Sequence, residues 1–192
     1  MASLQLNHAP ILNSSAQLLV LPVNNAGMLL DPILTRSKNL YPDNYQRYFR
    51  ACREGSLMVG SCLMHKRARE QAGLGVSSNG SQPIYIANLV VSDHPYHPSR
   101  ASWLIAALVD LQQQLIPLIR YQGIRRIALL ARPLIAHHLQ HNSTQNNVAD
   151  NAEMTTSIAL DWHSDILPLI NQYLQNLSKL HIDIHLPKDI YI

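Results

Sequence analysis

The stretch that constrains this chain most is Leu18–Val23, an apolar run that ends abruptly in Asn24-Asn25-Ala26-Gly27. An apolar run of this length, closed by turn chemistry, reads as a strand buried on both faces. The residues after it suit an open strand end: amide side chains hydrogen-bond, and glycine tolerates backbone conformations that other residues avoid. The plainer reading is a strand that stops in a turn, and the sharper one is a strand that opens on a cleft.

The rest of the chain alternates strand and helix signals. A lead-in over residues 1–8 holds a possible edge strand near Leu4–Leu6. Strands are expected at Leu18–Val23, Leu57–His65, Ile84–Val91, Ile127–Leu130 and Ile182–Leu186. Asp31-Pro32 marks a turn or a helix start. Asp43, with Gln46 three residues on, is expected to cap a helix that Gly55 stops. Ser99 and Ser164 are expected to cap two more helices, with Pro117 kinking or ending the first of them. Strict alternation over His181–Leu186 predicts an outer strand buried on one side. Strands alternating with helices give an α/β chain in three layers, and the length suits one domain over 1–192. From Ala131 the pattern fails until about residue 158; a long insertion of this kind is a lid, a binding loop or disordered.

Composition excludes several classes. Hydrophobic residues make 47% of the chain and charged residues 14%, which argues against disorder. No run of about 18 apolar residues is evident, so no membrane partner is expected. Two cysteines, Cys52 and Cys62, make no disulfide framework and fit a reducing, cytoplasmic setting. The charge of +3 is uneven: residues 1–70 hold eight Lys or Arg against four Asp or Glu. Arg47, Arg50 and Arg53 form one stripe of the expected helix, either a solvated face or a set of nucleic-acid phosphate contacts.

Six short stretches, in order, resemble the macro domain. They are Leu21-Pro22-Val23-Asn24-Asn25-Ala26-Gly27, Leu40–Tyr45, Ala51–Gly55, Ile86-Ala87-Asn88-Leu89, Gly123–Ala128 and Leu160-Asp161-Trp162 with Leu167–Ile170 behind it. The branch they resemble is that of DNA ADP-ribosyl glycohydrolases of the DarG antitoxin type. The resemblance implies a mixed sheet between helices, with a cleft at the strand ends for ADP-ribose. It implies ligand contacts from Asn24, Asn25, Gly27 and Asn88, with Asn24 at the distal ribose. It also exposes departures. The family's adenine-facing acidic residue falls at about Pro10, and its first glycine loop becomes Leu30-Asp31-Pro32, where Asp31 would repel phosphate. Its catalytic lysine lines up with Ser92. Its glycine-rich loop becomes Ala131–His138 and the insertion, and no glycine follows Gly123.

The resulting expectation is a degenerate, non-hydrolytic macro-domain-like module, a pseudoenzyme that binds or regulates with altered or lost ADP-ribose recognition. Its partner would be ADP-ribose or an ADP-ribosylated macromolecule, with no cofactor. The alternative is a working ADP-ribosyl glycohydrolase, an antitoxin in the DarG manner, using Ser92, Asp93 and His94 with Arg132 replacing lost phosphate donors. A metal site would need three or four ligands, and the pairs His137/His141 and His94/His97 fall short, so none is expected. Ser92-Asp93-His94 is no hydrolase triad, because neighbours on an extended chain point to opposite faces and no G-x-S-x-G stretch exists.

Overall fold

The computed structural model describes residues 1–67, 82–135 and 160–190. Six strands form one sheet. They are β1 (Ser3–Asn7), β2 (Leu18–Asn24), β3 (Cys62–Lys66), β4 (Tyr85–Ser92), β5 (Arg126–Leu130) and β6 (His181–His185), in the order β1-β6-β5-β2-β4-β3. Every neighbouring pair is parallel except β3 with β4. Helices α1 (Pro32–Leu40), α2 (Pro42–Arg53), α3 (Ala101–Tyr121) and α4 (Leu167–Leu174) complete the layers.

β2 is buried at every position, as its unbroken apolar run requires. Its side chains alternate between two cores. Leu18 and Val20 join Leu104, Leu108, Leu111 and Leu115 of α3 and Ile170 and Leu174 of α4. Leu19, Leu21 and Val23 join Leu34 of α1 and Tyr48 of α2. A mixed sheet between two helical layers is therefore the architecture, as the sequence predicts.

The site depends on where β2 loses a neighbour. β5 pairs only with Leu18–Val20, whereas β4 follows β2 to its end. Pro22 lies beyond the last β5 pair, so its missing N–H breaks no ladder bond on that side. The two strands part there, and the gap opens at the carboxyl end of the sheet.

Several local expectations are corrected. The strand expected from Leu57 begins only at Cys62. Gly60 before it has φ +85, and its N–H goes to Val90, so the preceding residues form a turn although Leu57 is buried. Asp43 does not cap α2: Pro42 starts the helix with its fixed φ, and Asp43 Oδ2 instead meets His65 Nε2 at 2.9 Å. Gly55 does stop α2, at φ +65. Ser99 makes no cap for α3, whose N-cap is Arg100 without a side-chain bond. α3 runs through Pro117 to Tyr121, because Pro117 sits on the solvent face where water can take the freed carbonyl.

The last helix is capped by Asp161, three residues before the expected Ser164. Asp161 Oδ1 accepts from the N–H groups of His163 and Ser164 at 3.0 and 2.9 Å, and a π turn, Trp162–Ile166, leads into α4. β6 is not an outer strand, since β1 pairs along it. Its alternation survives as Ile182 and Ile184 in the α3/α4 core, with Asp183 and His185 on the opposite face. α3 is also long and apolar enough by length and composition to cross a membrane, unlike the sequence-based reading; here its leucines fill the core.

Candidate functional site

The parting of β2 and β5 produces a cleft of about 670 Å³, within the range of small-molecule sites. Its floor is the ends of β2 and β4: Pro22, Val23, Asn24, Val91 and Ser92. One wall is Met28 and Leu30–Pro32 with Leu34 of α1. A second is Pro95–Ser99, between β4 and α3. The third is Arg132–Ile135, after β5. These segments follow the carboxyl ends of parallel strands, where open α/β sheets place ligands.

α1 points its amino end at this space. Asp31 is its N-cap: Oδ1 accepts from Ile33 N–H at 2.8 Å and from Leu34 N–H at 3.3 Å. The second oxygen, Oδ2, lies 3.0 Å from Arg132 Nε. Free N–H groups at a helix start, facing a guanidinium, are the donors a phosphate takes. Here one carboxylate of the chain itself caps the N–H groups and pairs in charge with the guanidinium, whose Nε makes no hydrogen bond among the described residues. Asp31 is only 13% exposed in this position and Arg132 37%.

The candidate residues divide. Asn24, Ser92 and Arg132 line the cleft. Asn24 spends its amide on its own loop, donating from Nδ2 to the Met28 carbonyl at 2.6 Å and accepting at Oδ1 from Ala26 N–H at 3.0 Å. The Tyr48 hydroxyl donates to the Asn24 carbonyl at 2.6 Å. Burial pushes the Tyr48 hydroxyl's pKa far above the ordinary phenol value. Asn88 does not reach the cleft. It is a buried amide paired twice with Asn44, giving from Nδ2 to Asn44 Oδ1 at 2.8 Å and receiving from Asn44 Nδ2 at 3.2 Å.

Gly27 does not line the cleft either. It has φ +77 and faces α2, where an added Cβ would stand 3.1 Å from the Phe49 ring. Asn25 ties β2 to β4 through its backbone N–H on the Ser92 carbonyl at 3.1 Å, outside the lining. Of the residues singled out in the sequence, Asn24, Ser92 and Arg132 are in the lining, and Asn25, Gly27, Asn88 and His94 lie outside it. The reason is general: alternate residues of a buried strand face opposite sides, and a tight turn aims its residues in several directions.

Ser92 gives its hydroxyl hydrogen to the His94 carbonyl at 2.8 Å. Asp93 and His94 lie outside the lining, and His97 lies in it. In the sequence His97 stands out only as half of a metal pair with His94. The four-residue spacing of Asp93 and His97 is the signal that could have found it, since the two meet at 2.9 Å. Among the described residues no three His, Cys, Asp or Glu side chains converge on a possible metal position. His137, His141 and residues 136–158 of the insertion lie outside the described residues. Arg47, Arg50 and Arg53 are exposed on α2, and none lines the cleft.

No protein-family model matches the chain. A DNA ADP-ribosyl glycohydrolase of Thermus aquaticus is 31% identical over 101 residues, a match spanning 53% of this chain and 25% of that protein. The chain thus spans about a quarter of the length of that curated relative. Among solved structures, the macrodomain of Thermus aquaticus DarG is similar with a TM-score of 0.69 and 24% identity, over 97% of this chain and all of that one. The macrodomain of Mycobacterium tuberculosis DarG gives a TM-score of 0.69 at 20% identity, over 98% of this chain and all of that one. Thermosipho africanus DarTG in complex with ADP-ribose gives 0.69 at 20%, over all of this chain and 43% of that one. The fold is that of a DarG-type macrodomain, the architecture its sequence resembles.

Proposed function

We propose that this chain, a macrodomain of the DarG type in fold, is a non-hydrolytic binding module whose recognition of ADP-ribose is altered by its own Asp31. One observation carries the reading. The Asp31 carboxylate bridges the first free N–H groups of α1 and the guanidinium of Arg132. A diphosphate entering the cleft needs those same donors, and it meets a fixed negative charge first. Similarity to proteins named as ADP-ribosyl glycohydrolase and as an ADP-ribose complex supports the ligand class. The cleft volume of about 670 Å³ supports binding of the uncharged parts of such a ligand.

Hydrolysis of a glycosidic bond needs a positioned acid, base or cation at the bond. Ser92 stands where the family carries its lysine, and its hydroxyl hydrogen is already committed to the His94 carbonyl. Arg132, the replacement phosphate group considered from sequence, is neutralised by Asp31. Contacts from Arg47, Arg50 and Arg53 to a nucleic-acid backbone remain compatible with an ADP-ribosylated DNA partner, on a face separate from the cleft.

The trial is incubation of the protein with ADP-ribosylated DNA, followed by chromatography for released ADP-ribose. The expected result is no release, with the modified DNA retained more strongly than unmodified DNA. Catalytic release of ADP-ribose, abolished by Ser92→Ala or His97→Ala, would overturn the non-hydrolytic reading in favour of a working glycohydrolase.

A further inference from the structure

The segment joining β4 to α3 holds a side-chain pair that the reading above leaves unused. His97 Nδ1 lies 2.9 Å from Asp93 Oδ1. The His97 hydrogen bond, with smaller help from the Arg100 charge, outweighs desolvation and holds the Asp93 carboxyl below the usual carboxylate range. An ionised carboxylate has only acceptors, so Nδ1 carries the hydrogen. In the neutral ring Nε2 is then a lone pair. Among the described residues, no side chain or backbone group hydrogen-bonds to that nitrogen.

The loop around the pair is tied to itself. His97 N–H donates to the His94 carbonyl at 3.1 Å, the same oxygen that takes the Ser92 hydroxyl hydrogen at 2.8 Å. The His94 ring sits 5.3 Å from the Tyr96 ring and 5.1 Å from the His97 ring, centroid to centroid. Pro95 and Pro98 restrict the backbone on either side. Tyr96 is 71% exposed and, with both prolines and His97, forms the cleft wall. The wall is thus largely apolar, with the Tyr96 and Ser99 hydroxyls and His97 as its polar side chains, and of these the neutral His97 Nε2 can only accept. A phosphate, which at neutral pH carries acceptors only, takes no hydrogen bond from that nitrogen. A ribose hydroxyl or an exocyclic amine does find an acceptor.

We propose that His97, oriented by Asp93, is the specificity-determining acceptor of the cleft, and that it takes a hydroxyl or amino donor from the uncharged nucleoside part of a ligand. This rests on the reading of the cleft as an ADP-ribose-class binding module, and it assigns the nucleoside a wall of its own, apart from the Asp31–Arg132 pair. It also fixes a sign. Protonation turns Nε2 from acceptor to donor, so nucleoside binding falls as pH falls. A histidine serving as a cation for phosphate would give the opposite trend. The charged and titratable groups around His97 are Asp93, His94, Tyr96 and Arg100, with Asp31 and Arg132 on the other walls.

The experiment is calorimetric titration of adenosine and of adenosine monophosphate at about pH 8 and about pH 5, either side of the range in which imidazoles change charge. For the native chain, adenosine should bind at the higher pH and weaken by about fivefold or more at the lower, the worth of one hydrogen bond. His97→Ala should lose about the same factor at the higher pH. His97→Gln, which keeps a neutral acceptor, should retain most of the affinity and respond little to pH. Adenosine affinity unchanged by His97→Ala would overturn the assignment. So would His97-dependent tightening of the monophosphate at low pH, or a failure of adenosine to bind at all. ADP-ribose titrated into Asp31→Asn separates the two readings. Binding there with no effect of His97 removes only this inference, and no binding of either ligand removes the cleft's role as well.

Discussion

Two polar clusters of this chain behave in opposite ways. Asn24, Tyr48, Asn44 and Asn88 are buried, and they satisfy one another and their own backbone. Asp31, Arg132, Asp93 and His97 sit in or beside the cleft, in pairs that solvent or a ligand can reach. The first cluster fastens α2 and the β2 turn to the sheet; the second sets the charge of the site. Amides after a strand look alike in sequence whether they serve the fold or the ligand. What separates them is whether their hydrogen bonds are already made, since a buried amide without partners costs more than it contributes.

The comparison breaks first at the buried amides. Asn88→Leu leaves the Asn44 amide without its partner, removes a side-chain bond to the Leu63 carbonyl, and should cost about 2–3 kcal/mol in denaturant unfolding. The double variant Asn44→Leu/Asn88→Leu should recover part of that loss, because both partners are then apolar. If Asn88→Leu is instead neutral to stability and harmful only to ligand binding, Asn88 belongs with the cleft. Gly27→Ala should cost about 1–2 kcal/mol, from its positive φ and the crowding against Phe49. Tyr48→Phe, which removes one bond to the Asn24 carbonyl, should cost about 1 kcal/mol in the same assay.

Smaller effects sharpen the other side. Asp43 is partly buried, which raises its pKa, but hydrogen bonds from His65 and the Asn44 N–H, with the nearby charges, bring it below the ordinary 3.8. A depressed folded value means its stabilisation is present above that pH and is lost as pH falls through the folded value. Asp43→Asn should therefore be less stable than the native chain at neutral pH, and its shallower acid loss should bring the two together as pH falls below 3.8. An identical acid limb in both proteins contradicts the His65 pairing.

Much of the fold was legible because its signals are strong and local. β2 and β5 are apolar runs, and the positive φ of Gly55 and Gly123 matches their place at helix ends. Caps were harder. Asp43, Ser99 and Ser164 all carry the right chemistry, yet Tyr41, Arg100 and Asp161 hold the cap positions, since cap chemistry recurs at several residues near a helix start. β6 read as outer because a strand's period reports which faces are buried and not which strands lie beside it. The site was legible only as a region. Asn24, Ser92 and Arg132 reached it, whereas the Asp31–Arg132 pair joins residues about a hundred positions apart, and no spacing rule brings them together. The sequence makes Asp31 a charge that repels phosphate; the structure adds that it caps the α1 N–H groups and faces the Arg132 guanidinium.

That occupancy is the central claim, and Asp31→Asn tests it with little disturbance, because asparagine caps a helix as well as aspartate does. Unfolding should change by no more than about 0.5 kcal/mol. ADP-ribose should then be titrated into both proteins by calorimetry under the same conditions. Removing a carboxylate that faces the diphosphate and releasing Arg132 should restore a charge-assisted hydrogen bond, so the variant should bind about tenfold more tightly or better. Equal or weaker binding by Asp31→Asn, in a variant that remains folded, would contradict the account.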